Sequence, residues 1–379
     1  MRLAQDTYEI EGKPVDRDIR LYLLRNDFLP TAGDSRILQV EINTISAGFA
    51  GILESLSMIH FTHRSVYYPN LVGELPINRP CSGFANAIAV AVEEHNRKWG
   101  TSSMCVVFVV EDGERNIIDQ YTMERCLVGQ FRMTVLRRTL SHISANAFVC
   151  KDGHLYVDNI QVALVYYRSG YDPKHYPTEK EWDARKLVEK SNAVKCPSVL
   201  AQLAGTKKVQ QSWYENNGNL LRDRFGFEDS EVTGLMSVFA RQCVPCEGSD
   251  LTAEAIANPE NWVLKPQREG GGHNLYGSDL VQVLKSSSQD ELSQYVLMER
   301  MNPVPAPALV VDGEASVKVR RVVPRIIEEA VSELGVYSYY IPSINRNEIT
   351  GHLLRTKSRE IKEGGVNAGF AVLDTLLLS

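Results

Sequence analysis

Nowhere in the 379 residues does an apolar run approach the roughly 18 needed to cross a bilayer, so no membrane span is expected. Positive charge is not in excess: 41 Lys and Arg against 47 Asp and Glu leave a formal net charge of -6. That balance argues against a nucleic-acid or anionic-membrane surface. Cysteine is sparse, seven residues in an odd number without framework spacing, which points to reduced thiols rather than a disulfide scaffold. Cys243-Val-Pro-Cys246 has the spacing of a redox pair or half a zinc site, but no second such pair or close His partner follows. Incidental loop cysteines are the expectation there. The opening MRLAQDTYEI lacks the apolar core of a signal peptide. Cytoplasmic location is the default expectation, with secretion open if a leader precedes Met1. No repeat or low-complexity tract interrupts the chain.

What is present is an ordinary globular composition, 44% hydrophobic and 23% charged, in a length that suits one large domain or two to three smaller ones. RILQVEIN (36–43) alternates, with Leu38, Val40 and Ile42 on one face and Gln39, Glu41 and Asn43 on the other, as in a half-buried strand. GFANAIAVAVEEHNR (83–97) reads as a helix closed by Gly100. CVVFVV (105–110) and VALVYYR (162–168) are continuous apolar runs that end in polar loops, the mark of buried strands in an α/β fold. Ligands gather at the carboxyl ends of such strands, where Glu114, Asn116, Arg168 and Tyr171 fall. Residues 211–260 are polar and turn-rich and join two substructures, and β-like stretches return from 263.

The stretch NWVLKPQREGGGHNLYGSD (261–279) reads as a strand ending near Lys265, a loop with three glycines, and a capped helix from Ser278 or Asp279 with Leu280, Val281 and Leu284 inward. A strand, glycine loop and helix can cradle phosphate with backbone N–H groups. The loop is neither a P-loop nor GxGxxG, so an exposed flexible loop stays open as the alternative. Glu269 and Asn274 are oxygen ligands of the kind Mg²⁺ prefers. Glu41 with Asn43, and Arg355 with Lys357, each share a strand face. The group reads as phosphate chemistry.

Together QVEINTISAGFAG, ERNIIDQ, VKCPS, QLAGTKKVQQ, KPQREGGGHNLYG, SELG and GHLLRTK resemble the eukaryotic glutathione synthetases. The blocks follow the family's order from about residue 25 to the end. The resemblance implies an ATP-grasp fold with an inserted α/β substrate-binding domain and a glycine-rich lid loop. Residues 1–100 and 206–379 would form the body and lid, and 101–205 the inserted domain. It implies ligation of γ-glutamylcysteine to glycine or another small amine, with ATP and Mg²⁺ and an acyl-phosphate intermediate. Small molecules would be its partners, with no nucleic acid, no membrane, and room for a homodimer.

By resemblance, Glu41, Asn43 and Glu269 match the metal ligands, and Lys207 and Lys265 the lysines on the nucleotide phosphates. Asn274, Met298, Glu299, Glu333 and Lys357 match further ATP contacts, and Gly270, Gly271 and Gly272 the glycine loop. Arg25, Ser46, Glu114, Asn116, Gln120, Arg168 and Tyr171 match the γ-glutamylcysteine pocket. Arg355, Val366 and Asn367 match the acceptor region, with Arg25 and Arg355 placed to act in catalysis. Four positions depart from the family: His273, Gly48 where a serine is usual, Ser169 where an acid is common, and Asn367 where alanine is usual. The chain also lacks about a hundred preceding residues that family members carry. These departures leave open a shifted acceptor, or a non-catalytic effector-like protein that binds nucleotide or a γ-glutamyl thiol, of the kind plant-parasitic nematodes secrete.

Overall fold

The computed structural model describes residues 19–32, 36–70, 72–215, 217–267, 273–310, 325–361, 365–366 and 369–378. Strands β1 (Tyr22–Pro30) and β2 (Ile37–Asn43) precede helices α1 (Ala50–Tyr67) and α2 (Pro80–Trp99). Then come β3 (Cys105–Val109), α3 (Ile117–Phe131), β4 (Thr134–Arg138), β5 (Ala147–Val149), β6 (Leu155–Val157), β7 (Ile160–Val162), β8 (Leu164–Tyr167) and β9 (Val194–Cys196). Helix α4 (Lys207–Glu215) leads through shorter helices to β10 (Gln242–Cys243), β11 (Trp262–Pro266), α5 (Gly277–Ser286) and β12 (Tyr295–Glu299). The last elements are β13 (Ala306–Val310), β14 (Arg325–Ile341), β15 (Arg346–Ser358) and β16 (Val372–Asp374).

One antiparallel sheet runs β16-β15-β14-β1-β2, with β13 also on β14. A parallel sheet, β4-β3-β8-β9, is built from residues 105–196 alone. A third sheet, β10-β12-β11, is antiparallel. Helix α2 lies against β14 and β15 on one side and β8 and β9 on the other. Its start is set by Pro80 and its end by Gly100 at φ 63, a left-handed cap that favours glycine. Alanine and Gly83 keep its faces low, and a Cβ on Gly83 would lie 2.4 Å from Thr350 Cβ. Phe84, Ile88, Val106, Phe108, Tyr166, Tyr337 and Leu353 meet in one core that joins the two sheets. Each fully buried large side chain there contributes on the order of 1.5–3 kcal/mol.

Three expectations change. The alternation in 36–43 breaks at a bulge, because Asp27 pairs Glu41 while Phe28 pairs Gln39, leaving Val40 as an extra residue. Gln39 therefore turns away from Glu41 and Asn43 and donates to Asn26 Oδ1 at 3.1 Å. The run 162–168 is divided between β7 and β8 at Ala163. Helix α5 begins at Gly277, and no side chain caps it. Among the described residues no helix is long and apolar enough to cross a membrane.

Candidate active site

Residues paired across an antiparallel sheet share a face. In this sheet Arg25 pairs Asn43 and Tyr337, Asp27 pairs Glu41 and Gly335, Glu333 pairs Arg355, and Val331 pairs Lys357. Register alone thus puts Arg25, Glu41, Asn43, Glu333, Arg355 and Lys357 on one face. Toward one end that face is apolar, with Leu21, Leu23, Tyr339 and Leu353 buried, and Phe84 of α2 packs edge-on against Tyr337 at 5.6 Å. The polar residues occupy the other end.

Asp27, 0% exposed, organises them. Its Oδ1 accepts from Arg25 Nε at 2.6 Å, and its Oδ2 from Arg25 Nη2 at 2.7 Å, Asn43 Nδ2 at 3.0 Å and Arg355 Nη2 at 3.0 Å. Arg355 also donates to Glu333. Burial opposes the Arg25 charge, but the Asp27 carboxylate outweighs it and the guanidinium is held firmly protonated. Arg355 is drawn the other way, chiefly by burial, with the Arg25 charge adding to it. Gly335 makes room for this cluster, since a Cβ there would lie 2.7 Å from Asp27 Oδ1 and 3.0 Å from Arg25 Cδ. Neither Asp27 nor Gly335 was among the residues expected from sequence. The available signals were an acid two residues from Arg25 in RND and a glycine inside the strand run SELGVYSYY.

Next to this cluster lies an edge where Asn43, Glu41 and Lys207 meet. Asn43 Nδ2 donates to Asp27 Oδ2 and to Arg25 O at 3.3 Å, so its amide nitrogen is committed and Oδ1 remains as an acceptor. Lys207 Nζ, at the start of α4, is 3.9 Å from Glu41 Oε2. Lys208 N donates to Gln267 Oε1 at 3.2 Å, which ties α4 to the end of β11. Lys265 is buried on β11. Glu269, Gly270, Gly271 and Gly272 lie outside the described residues. After them the chain turns back, and Leu275 pairs antiparallel with Leu264, which sets Asn274 beside Lys265. Helix α5 therefore starts near Val263, roughly 13 Å along the strand from Gln267 at ~3.3 Å per residue. The expected glycine cradle falls on residues outside the described ones. Met298 pairs Val263 and Gln242 in the same small sheet, and Glu299 grips Arg241 at 3.1 Å, as Glu254 does at 2.8 Å. The carbonyl of Val366 accepts from Gly369 N at 3.0 Å; Asn367 lies outside the described residues.

The third group sits at the carboxyl ends of β3 and β8. Glu114 accepts from Asn116 N at 2.7 Å and from Gln120 Nε2 at 2.8 Å, and Gln120 Oε1 accepts from Arg137 at 2.6 Å. Arg168 donates to Asp119 Oδ2 at 3.3 Å, while its buried Nε has no hydrogen-bond partner among the described residues. Asp119 also accepts from Phe49 N at 2.9 Å and Gly51 N at 2.7 Å, which fixes the start of α1. Ser46, held at φ 53, donates to Arg168 O at 3.0 Å. Tyr171 meets His175 edge-on at 4.8 Å, and burial raises its phenol pKa. His175 Nδ1 accepts from Gly170 N and Asp172 N, so Nε2 carries the proton, 3.0 Å from Glu111 Oε2. A Cβ on Gly48 would lie 3.2 Å from Asn116 Nδ2 and 3.3 Å from Arg168 Nη2. The carbonyl of Gly48 accepts from Tyr337 at 2.6 Å and Arg25 Nη1 at 3.4 Å, linking this group to the Asp27 cluster.

Within the CxxC motif, Cys243 pairs Leu297 in the small sheet that carries Met298. Cys243 is buried and its thiol is pushed up to about 11, chiefly by burial, and all seven cysteines are free. Among the described residues no group of three or more His, Cys, Asp and Glu is placed to hold a metal.

Comparison with known proteins places this geometry. The model of the eukaryotic glutathione synthase ATP-binding domain matches residues 2–378. The chloroplastic glutathione synthetase of Solanum lycopersicum is 37% identical over 384 residues, covering 98% of this chain and 67% of its own. The Homo sapiens glutathione synthetase is likewise 37% identical, with 98% and 78% covered. Among solved structures, a glutathione synthetase-like effector from Globodera pallida in its apo form superposes with a TM-score of 0.70 over 100% of this chain and 80% of its own. At 16% identity that likeness speaks for the α/β, ATP-grasp fold alone. On the matched length and the identity of its relatives, the chain belongs to the eukaryotic glutathione synthase family and is an ATP-dependent carbon–nitrogen ligase of that type.

Proposed function

We propose that the chain activates the glycyl-accepting carboxylate of γ-glutamylcysteine as an acyl phosphate and passes the acyl group to glycine or another small amine. A carboxylate oxygen attacks the γ-phosphorus of ATP and ADP leaves; the neutral amine then attacks the acyl carbon, phosphate leaves and the amine gives up a proton. The observation that carries this reading is the Arg25–Asp27–Arg355 cluster, which shares a face with Glu41 and Asn43 and connects through Gly48 to Arg168, whose buried Nε has no partner among the described residues.

In this reading Arg168, with its buried Nε unpaired, takes a carboxylate of the donor, and Glu114 with Gln120 faces its ammonium end. Arg25 and Arg355, oriented by Asp27, face the acyl carbon and stabilise the oxyanion that forms there. Lys207 and Lys265 offset phosphate charge. The residues fit Mg²⁺: Asn43 Oδ1 and the Glu41 carboxylate are hard oxygens on one strand face, and Mg²⁺ takes one or two protein ligands beside substrate phosphates. When bound, the ion neutralises the charge that builds on the transferring phosphoryl group. Residues 101–205 would bind the donor and the flanking stretches the nucleotide.

ADP release by the purified protein tests this, with ATP, Mg²⁺, γ-glutamylcysteine and either glycine, β-alanine or serine. Release that depends on one of these amines and is lost in Lys265→Ala supports the ligase and names its acceptor. No release with any amine, despite measurable ATP binding, overturns the reaction proposed.

A further inference from the structure

Helix α3 crosses α2 near the latter's start, and the crossing brings two thiols together: Cys81 Sγ lies 3.8 Å from Cys126 Sγ. Cys81 is 1% exposed, whereas Cys126 is half-buried and within reach of solvent. Nothing in the ligase chemistry uses a thiol of the protein. The contact polarises the pair. With Cys81 donating, the Cys126 thiol is brought down to about 7, and the same contact together with burial pushes Cys81 up.

We propose that Cys81 and Cys126 form a thiol–disulfide exchange site that reacts with low-molecular-weight disulfides and closes to a Cys81–Cys126 bond. The Cys126 thiolate attacks one sulfur of R–S–S–R, that S–S bond breaks, and RS⁻ leaves and is protonated from solvent. Cys81 then attacks Cys126 Sγ in the mixed disulfide, the S–S bond to the second R breaks, and the second RS⁻ leaves with the proton given up by Cys81. Two protein thiols are oxidised and one small disulfide is reduced to two thiols, so electrons balance with no other oxidant. Closure requires the sulfurs to approach by roughly 1.8 Å, to the ~2.05 Å of a disulfide.

The bridge would act on the helix that carries the proposed donor pocket. Asp119, Met123 and Cys126 fall at helical spacing on the buried side of α3, and Asp119 holds both Arg168 and the start of α1. A pull on Cys126 is therefore felt at Asp119. This consequence rests on the donor-pocket reading; the exchange site itself does not.

The test incubates the full chain in buffers of oxidised and reduced glutathione, traps free thiols by alkylation, and maps the peptides by mass spectrometry. Expected are a loss of about 2 Da and a peptide pair joined through Cys81 and Cys126. In Cys81→Ser a mixed disulfide should accumulate on Cys126, and in Cys126→Ser neither product should form at these positions. Full alkylation of both thiols at every ratio, a bridge made by other cysteines, or an unresolved mixed disulfide on Cys126 in the unsubstituted chain would each overturn the site. A joined pair with an unchanged donor KM would overturn only the coupling to the pocket. The joined peptides are read without turnover, so a failed ligase assay cannot be mistaken for a failed exchange site.

Discussion

Arg25 and Arg355 stand on strands that do not touch each other, yet both donate to one oxygen of Asp27, at 2.7 Å and 3.0 Å. Strand β14 runs between them, and only because Gly335 has no side chain can the Asp27 carboxylate lie across it. A buried cation, Arg25, and a partly buried one, Arg355, that would repel each other are held side by side, on the same face as Glu41 and Asn43.

Replacing Asp27 with Asn should be far more damaging than a one-atom change suggests. It leaves the buried Arg25 guanidinium without its carboxylate, while the partly buried Arg355 keeps Glu333; breaking a buried pair costs about 3–5 kcal/mol. We expect a markedly lower Tm and loss of amine-dependent ADP release. Calorimetry beside the release assay checks both, and an unchanged Tm would show that the cluster is not organised by Asp27.

Gly335→Ala should destabilise the protein by about 1–3 kcal/mol, because its Cβ meets a carboxylate that is itself pinned by four donors. Gly129→Ala in α3 is the control. A Cβ there meets nothing within 4 Å, and alanine in a helix is favoured by about 0.5–1 kcal/mol. Urea unfolding should move the two midpoints in opposite directions.

Asn43→Asp, which adds a common metal ligand, should weaken the site. The amide nitrogen lies 3.0 Å from Asp27 Oδ2, and an oxygen in its place sets two carboxylates against each other. Lower stability and a higher Mg²⁺ requirement are expected from thermal melts and a Mg²⁺ titration of ADP release. Tighter Mg²⁺ dependence with unchanged Tm would contradict the orientation assigned to this amide.

Gly48→Ser adds a hydroxyl to the substrate side, but its Cβ presses on Asn116 and Arg168 at 3.2 Å and 3.3 Å. Both side chains must give way from their contacts with Asp119. The KM for γ-glutamylcysteine should rise by about threefold to tenfold, or ~1 kcal/mol, with the KM for ATP unmoved. Initial rates at varied donor and varied ATP separate the two.

Much was legible in the sequence where a local rule applies. The all-apolar CVVFVV marks a strand covered on both faces, and the parallel sheet buries Cys105 to Val109 of it. The alanine-rich run ending at Gly100 marks a helix because its periodicity and stop signal agree. Glu41 and Asn43, and Arg355 and Lys357, share a face through the two-residue period of a strand, which needs no partner to be read.

Other features were decided by the tertiary structure, because they depend on residues distant in the chain. The bulge at Val40 depends on how β1 pairs β2, and it turns Gln39 away from the face its spacing suggested. The return of Leu275 onto Leu264 is a pairing that the local pattern of 261–279 does not reveal. Asp27 looks like any strand acid until β2, β14 and β15 close around it and remove it from water. A sequence states which residues are charged, but burial and opposing charges set what that charge does, and both arise only when separate strands meet.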